Sequence, residues 1–433
     1  VIQEFCSKKA YMGLDAITAV DMGYIFEELV RKFSESYDEQ AGAHFTARDI
    51  IYLMAELLVA PKKAHLQDEG ITATMYDMAM GTSQMLDCLS EKLHEIDPDA
   101  NLTEFGQELN EQTFAIAKAN MLIKGGDAEN MKHGNTLSND QFEGFTFDYI
   151  ISNPPFGIEW KNEKAKVEEE HKKGEYGRFG AGLPAIGDSQ QLFVLNGVAK
   201  LKDNGRMAII QNGSPLFKGD AGSGESNIRG YLLENDWLEA IVQIPNDMFY
   251  NTGIATYIWV ITKDKSAERA GKVQLIDASK CSVKRRKPLG NKRNEFDETC
   301  IALITKAYNA FTDATYTDGD LVVESKVKDN ENFKYRKVTV EFPSDKQTDK
   351  KSKPEKDTEI IPWKEDVQAY MEKNVLPFQP KAKIVEKQTK IGYEIQFTRE
   401  FYKYVPLESS DIIFAHLKEL EAKETELMNK ILG

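Results

Sequence analysis

Between about residue 41 and residue 265, short apolar runs alternate with longer amphipathic stretches, and no other feature constrains the fold as strongly. The runs Thr74–Ala79, Phe147–Ser152, Met207–Gln211, Leu238–Ile244 and Tyr257–Thr262 are strand candidates. Strands separated by helix-length segments fold as βαβ units, so the expectation is a doubly wound α/β domain. In such an open sheet, ligands bind outside the carboxyl ends of the strands. The residues directly after each run are therefore where chemistry is to be sought.

The flanks read differently. Residues 1–40 place Ile17, Met22, Ile25, Phe26 and Leu29 at three- and four-residue intervals, which predicts a helical N-terminal segment. Residues 266–408 read as a C-terminal region holding Asp345–Glu359, a stretch rich in Lys, Asp and Ser with Pro354, expected to be a mobile linker or insertion. Residues 409–433 predict a helix with a Ser/Asp start signal. Its Leu417, Leu420, Leu427 and Ile431 make a narrow apolar stripe, broken by Glu424, that either docks on a partner or packs on the chain's own domain.

Composition excludes several classes. No segment approaches the roughly eighteen consecutive apolar residues of a membrane span. The start at Val1 shows no charged-then-apolar pattern, so no targeting segment is expected, and the start without Met leads to the expectation of a trimmed or proteolysed product. Cys6, Cys88, Cys281 and Cys300 are scattered, without C-x-x-C spacing, and read as reduced thiols of a cytoplasmic protein. The six histidines lack H-E-x-x-H spacing, and no metal site is expected. A net charge of −15 opposes autonomous binding to nucleic acid, because phosphate binding rewards a basic surface.

Directly after the run Phe147–Ser152 stands Asn153-Pro154-Pro155-Phe156. An exocyclic amino group on a base is a poor nucleophile, since its lone pair is delocalised into the ring. An Asn153 side-chain oxygen and a Pro154 carbonyl can each accept one of its N–H bonds, drawing the nitrogen towards tetrahedral geometry. The two prolines, Pro154 and Pro155, stiffen the backbone, and Phe156 offers a stacking face for an extruded base. Alone, the tetrapeptide is equally compatible with an ordinary turn. Two further segments suit a nucleotide-like cofactor. Asp77-Met78-Ala79-Met80-Gly81-Thr82-Ser83 follows a strand and precedes a helix near Gln84, a turn that lets backbone approach a ligand. Gly106-Gln107-Glu108 ends another strand, where a carboxylate holds a ribose diol in dinucleotide folds, although a solvated strand-end Glu reads equally well. Lys161–Glu175, highly charged, reads as a solvated loop or helix face, with a direct DNA contact as the alternative.

Taken in order, these segments resemble the modification subunits of type I restriction–modification systems, which are N6-adenine DNA methyltransferases. Gly42-Ala43-His44-Phe45-Thr46-Ala47-Arg48 is similar to their G-x-x-F-T-P-R segment, and Asp77 to Leu86 to their cofactor loop. Gly106-Gln107-Glu108 and Asn153–Phe156 match their G-Q-E and catalytic motifs. The likeness continues through Arg178-Phe179-Gly180, Ile244-Pro245-Asn246 and Ile391–Thr398, and so covers nearly the whole chain. The chain departs from the pattern at Ala47, Met78, Met80, Ser83, Gln84 and Asn135, the last standing where Asp is usual.

The resemblance implies a seven-stranded Rossmann-like methyltransferase sheet with helical N- and C-terminal additions. It implies S-adenosyl-L-methionine as cofactor, held by Ala43, His44, Phe45, Thr46, Ala47, Arg48, Asp77, Gly81, Thr82, Ser83, Gln84, Glu108 and Asn135. Asn153, Pro154, Pro155 and Phe156 would act on an adenine flipped out of double-stranded DNA. It further implies partners: two such subunits join one specificity subunit, which reads the sequence, and restriction subunits complete the complex. That division of labour would reconcile the acidic charge with a DNA substrate. Two other readings stand beside it: a methyltransferase acting on cytosine N4 or on a protein glutamine, and a non-catalytic assembly protein that kept the fold.

Overall fold

The computed structural model describes residues 46–62, 66, 70–343, 354–404 and 409–432. The expected N-terminal helical segment, together with Ala43, His44 and Phe45, lies outside the described residues.

A ten-stranded mixed sheet organises residues 72–329. Its strands are β1 (Thr72–Asp77), β2 (Asn101–Glu108), β3 (Met131–His133), β4 (Phe147–Ser152), β5 (Leu201–Asn212), β6 (Leu238–Ile244), β7 (Thr256–Thr262), β8 (Lys272–Lys280), β11 (Ala314–Asp318) and β12 (Leu321–Asp329). A separate hairpin joins β9 (Val283–Leu289) to β10 (Lys292–Glu295). The order across the large sheet is β11-β12-β8-β6-β7-β5-β4-β1-β2-β3. Neighbours from β3 to β5 run parallel, whereas β7 is antiparallel to both β5 and β6.

The expectation of seven strands is thereby corrected to ten. Strands β8, β12 and β11, all beyond residue 265, extend the same sheet past β6. Lys and Glu interrupt β12 (LVVESKVKD), so it shows no apolar run by which to recognise it. Central strands behave as expected. All seven residues of β7 (TYIWVIT) are buried, as a strand covered on both faces must be.

Helices cover the sheet. Helix α1 (Arg48–Val59) buries Ile50, Ile51, Leu53 and Met54 and packs on α2 (Gln84–Ile96), which follows β1. Helix α3 (Glu111–Ile123) follows β2 and is capped by the Asn110 side chain, which accepts from Thr113 N at 3.0 Å. Beyond β4 come α4 (Lys164–Lys172), α5 (Gln190–Ala199) and α6 (Gly224–Glu234), and α7 (Glu298–Ala310) packs near α1. Strand β1 pairs with β2 on one side and β4 on the other, so the chain's winding reverses there. The cleft that this reversal opens lies at the strands' carboxyl ends.

A small sheet follows. In it β13 (Lys334–Phe342) pairs with β14 (Glu355–Pro362), β15 (Lys383–Ile384) and β16 (Lys390–Tyr393), over a core of Val338, Val340, Ile361 and Met371. Strand β14 takes in residues 355–359, the end of the stretch expected to be a mobile linker, which corrects that part of the reading. Tyr393 ties this sheet to α6, accepting from Arg229 Nε at 2.7 Å and donating its N–H to Ser226 Oγ at 2.9 Å.

Residues 398–433 form a second unit. Its helix α8 (Ser410–Leu432) is the one expected from the sequence, with Leu417, Leu420, Leu427 and Ile431 exposed. Among the described residues, no helix is long and apolar enough to cross a membrane.

Candidate active site

The cleft holds a cavity of about 600 Å³. Eight of the residues expected at the site line it: Thr46, Gly81, Thr82, Gln84, Glu108, Asn135, Asn153 and Pro155. They come from segments widely separated in sequence, most of them at or just past the carboxyl ends of β1, β2, β3 and β4, with Thr46 brought in from the start of α1.

The loop after β1 is shaped by backbone that departs from ordinary angles. Gly81 has φ +55° and Ser83 has φ +73°, the left-handed region that glycine enters most easily. Ser83 is fully buried and its Oγ has no hydrogen-bond partner. The loop is held by Glu108, whose Oε2 accepts from Gly81 N at 2.9 Å while its Oε1 accepts from Asn110 N at 2.7 Å. Met80 N donates to Gln107 O at 3.1 Å, which brings the two strand ends together. Gly106 suits that approach, since a Cβ there would sit 2.2 Å from Met80 Sδ and push that side chain aside.

Beneath the loop lies Asp77, fully buried and not in contact with the cavity. Its Oδ1 accepts from Ser152 Oγ at 2.6 Å and from Ala79 N at 3.0 Å, joining the ends of β1 and β4. Burial, with a smaller push from Glu108, raises this carboxyl to about 7 against those two hydrogen bonds.

Asn153 leaves β4 at its carboxyl end. Its Nδ2 donates to Thr46 Oγ1 at 2.9 Å, and its Oδ1 is buried without a partner. Thr46 is itself fixed from the other side. With the Gln84 amide oriented to satisfy both its neighbours, Nε2 donates to Thr46 O at 3.0 Å and Oε1 accepts from Arg48 Nε at 3.2 Å. Pro154 is buried, and Phe156 turns from the cavity to meet Phe249 edge-on, ring centroids 6.2 Å apart at 88°.

Further contacts support the wall. Ala47 is buried at the start of α1. Arg48 donates to Tyr52 Oη at 3.0 Å and lies 3.6 Å from Glu91. Asn135 braces its own turn, its Oδ1 accepting from Leu137 N at 2.9 Å while its Nδ2 donates to Glu163 Oε1 at 2.9 Å. Arg178 closes that turn, donating to Thr136 O at 2.8 Å and to Asn196 Oδ1 at 2.9 Å.

Sequence reasoning missed part of the lining: Leu109, Trp160, Glu163 and Phe193. Trp160 immediately precedes the charged stretch read as a solvated loop or helix face, and Glu163 lies within it. Most of that stretch forms α4, whose Val167 is buried while Lys164, Lys166 and Glu169 are exposed. Nothing in its composition distinguishes Glu163, at the cavity, from those neighbours.

The chain is 26% identical to the type I restriction enzyme MjaIX methylase subunit of Methanocaldococcus jannaschii over 67% of its own length and 49% of that protein's. It is 27% identical to the HindI methylase subunit of Haemophilus influenzae, covering 59% of this chain and 54% of that one. The chain thus spans about half the length of these curated relatives. Among solved structures it is similar to the type I restriction–modification methyltransferase subunit from Streptococcus thermophilus. The TM-score is 0.60 at 25% identity, over 74% of this chain and 63% of that one. The family model for N-6 DNA methylases matches residues 18–349, most of the chain, and the chain belongs to the N-6 DNA methylase family.

Proposed function

We propose that this chain methylates adenine N6 in DNA with S-adenosyl-L-methionine, as the modification subunit of a type I restriction–modification complex in the cytoplasm. One observation carries the reading: Asn153 Oδ1 is a buried acceptor without a partner at the carboxyl end of β4, on the wall of the cavity. A buried acceptor left unpaired costs about 1–3 kcal/mol, so a partner from outside the chain is favoured there. An adenine amino group supplies one.

The residues present fit the cofactor. Glu108 is a carboxylate on the cavity wall with both oxygens already oriented by backbone N–H groups, and it retains lone pairs for a diol. Gly81 and Thr82 bring backbone to the same wall, beside the start of α2. When bound, S-adenosyl-L-methionine supplies an electrophilic sulfonium methyl group.

The chain's own residues do the rest. Thr46 Oγ1 accepts from the Asn153 amide nitrogen, which leaves the amide oxygen to be offered to the amine. The Asn153 oxygen and the Pro154 carbonyl accept the two N–H bonds, which localises the nitrogen lone pair. Trp160, Phe193 and Leu109 supply apolar wall that excludes water. Sequence recognition, and much of the phosphate binding, is assigned to a specificity subunit, two copies of this chain serving each one; restriction subunits complete the assembly.

Co-expression with the specificity subunit, followed by mapping of methylated bases, tests the reading. N6-methyladenine at one defined sequence is expected. Methyl groups on cytosine N4 or on protein glutamine would transfer the activity to another acceptor. Failure of the chain to bind cofactor in calorimetry would leave it an assembly protein.

A further inference from the structure

From Ala278 to Asn294 the chain carries Lys280, Lys284, Arg285, Arg286, Lys287, Lys292 and Arg293 and no Asp or Glu, although its net charge is −15. This segment forms the end of β8 and most of the β9–β10 hairpin. Two of the cations are used within the fold: Arg285 pairs with Glu295, and buried Lys292 reaches Asp49 at 2.8 Å. The other five are exposed, and no ion pair involves them among the described residues.

The hairpin is anchored beside the site. Lys292 Nζ also donates to Met248 O at 3.1 Å, and Phe296 N donates to Asp49 on α1 at 2.9 Å. Asn291 N donates to Tyr250 O and Arg293 N to Asp247 O, each at 2.9 Å. At the turn Gly290 has φ +56°, and a Cβ there would sit 2.5 Å from Tyr250 O, so the tip lies directly on residue 250. Between those anchor points is Phe249, whose ring meets Phe156 of the catalytic tetrapeptide. The loop 245–250 itself leaves the carboxyl end of β6, the same edge of the sheet as Asn153.

We infer that the β9–β10 hairpin holds the DNA phosphate backbone flanking the target base, with Lys284, Arg286 and Lys287 as its contacts; the inference rests on the DNA methyltransferase reading above. A rigidly anchored block of unpaired cations on an acidic chain is electrostatically unfavourable unless it faces an anion, and a polyphosphate backbone running past the cleft is complementary to it. Such contacts carry no sequence information and position the duplex for a reader elsewhere.

The test uses the full chain, a fluorescent 30-base-pair duplex and anisotropy titrations at increasing KCl. The variant carries Lys284→Gln, Arg286→Gln and Lys287→Gln; the control, Lys381→Gln, Lys383→Gln and Lys387→Gln, removes equal charge from exposed positions around β15. Three lost phosphate contacts lower the slope of log K against log salt by about 2.7, so wild type loses about 40-fold more affinity than the variant between 50 and 200 mM salt. Cofactor affinity stays unchanged in all three proteins. An unchanged slope, an equal fall in the control, or no salt-dependent binding by wild type overturns the inference. Lost assembly with a specificity subunit at unchanged slope would assign the hairpin to a protein partner and overturn it too. Cofactor binding and methylation mapping judge the enzyme reading separately, so each can fail alone.

Discussion

Thr46 and Asn153, 107 residues apart, are joined by one hydrogen bond of 2.9 Å from Asn153 Nδ2 to Thr46 Oγ1. An asparagine amide presents an oxygen on one side and two N–H donors on the other, and rotation by 180° exchanges them. The Thr46 hydroxyl accepts from Nδ2 here, and this pairing leaves Oδ1 for the amine. Gln84 then holds the Thr46 backbone, so three loops fix one atom.

Thr46→Val keeps shape and removes the acceptor. The amide is then free to flip and offer N–H groups to an amine that is itself a donor. We expect kcat to fall about ten-fold, the equivalent of about 1–2 kcal/mol, with KM for DNA little changed. Thr46→Ser restores the rate. A valine variant with wild-type turnover would remove Thr46 from the positioning of Asn153.

Asn153→Ala goes further, because it deletes the acceptor itself. Methyl transfer is expected to vanish while the protein stays folded and binds cofactor with wild-type affinity. Turnover at the wild-type rate in the assembled complex would sink the proposed mechanism.

Glu108 has two tasks, holding Gly81 N and facing the cavity. Glu108→Ala is expected to weaken S-adenosyl-L-methionine binding by about 1–3 kcal/mol, about 5- to 150-fold in Kd, as for losing charge-assisted hydrogen bonds. Isothermal titration checks this, and an unaltered Kd would take Glu108 out of the cofactor site.

Much of this architecture was legible because central strands announce themselves. The span of β4, Phe147–Ser152, and that of β6, Leu238–Ile244, were readable from runs that are mostly apolar despite Asp148 in the first and Glu239 and Gln243 in the second, and the residues just past β4 are at the cavity. Peripheral strands were not legible. In β12 and β14, Lys, Asp and Glu sit on half-exposed faces, so neither run length nor strict alternation marks them. Within the site, the motif segments predicted which loops converge but not which atoms face inward. Asp77 and Phe156 belong to the motifs yet turn away from the cavity, one to buckle β1 to β4 and the other to pack on Phe249. Trp160 and Phe193 line it through tertiary folding alone, with no local signal.

Asp77 makes a pH-dependent prediction. An acid whose folded-state pKa is raised, here from 3.8 to about 7 by burial, binds its proton more tightly when folded. Folding is then favoured at low pH, and that contribution is lost as pH rises from 3.8 to about 7. Asp77→Asn cannot ionise, so its stability relative to wild type should increase by about 2–3 kcal/mol between pH 5 and pH 8. Urea unfolding of both proteins at the two pH values measures it; a constant difference would show that Asp77 keeps an ordinary pKa.

The C-terminal helix carries the last prediction. Ile413, Leu417, Leu420, Leu427 and Ile431 follow four- and three-residue spacings along Ser410–Leu432, and Glu424 occupies the one polar position in the series. Each of these apolar side chains is exposed, Ile431 at 77% and Leu420 at 61%. A seam of this period from Ile413 to Ile431 spans about 27 Å of helix and suits pairing with another helix, where a single polar position sets register. We expect that helix to be the docking element for the specificity subunit. Deleting the residues after Ser409 should abolish co-purification with that subunit while leaving cofactor affinity intact. Leu417→Asp with Leu420→Asp should do the same without shortening the chain. Were the seam instead packed on this chain's own domain, truncation would lower the melting temperature and leave the complex in place. Were it a contact between two copies, the variants would change the oligomeric state of the isolated chain, and either result would refute the docking role.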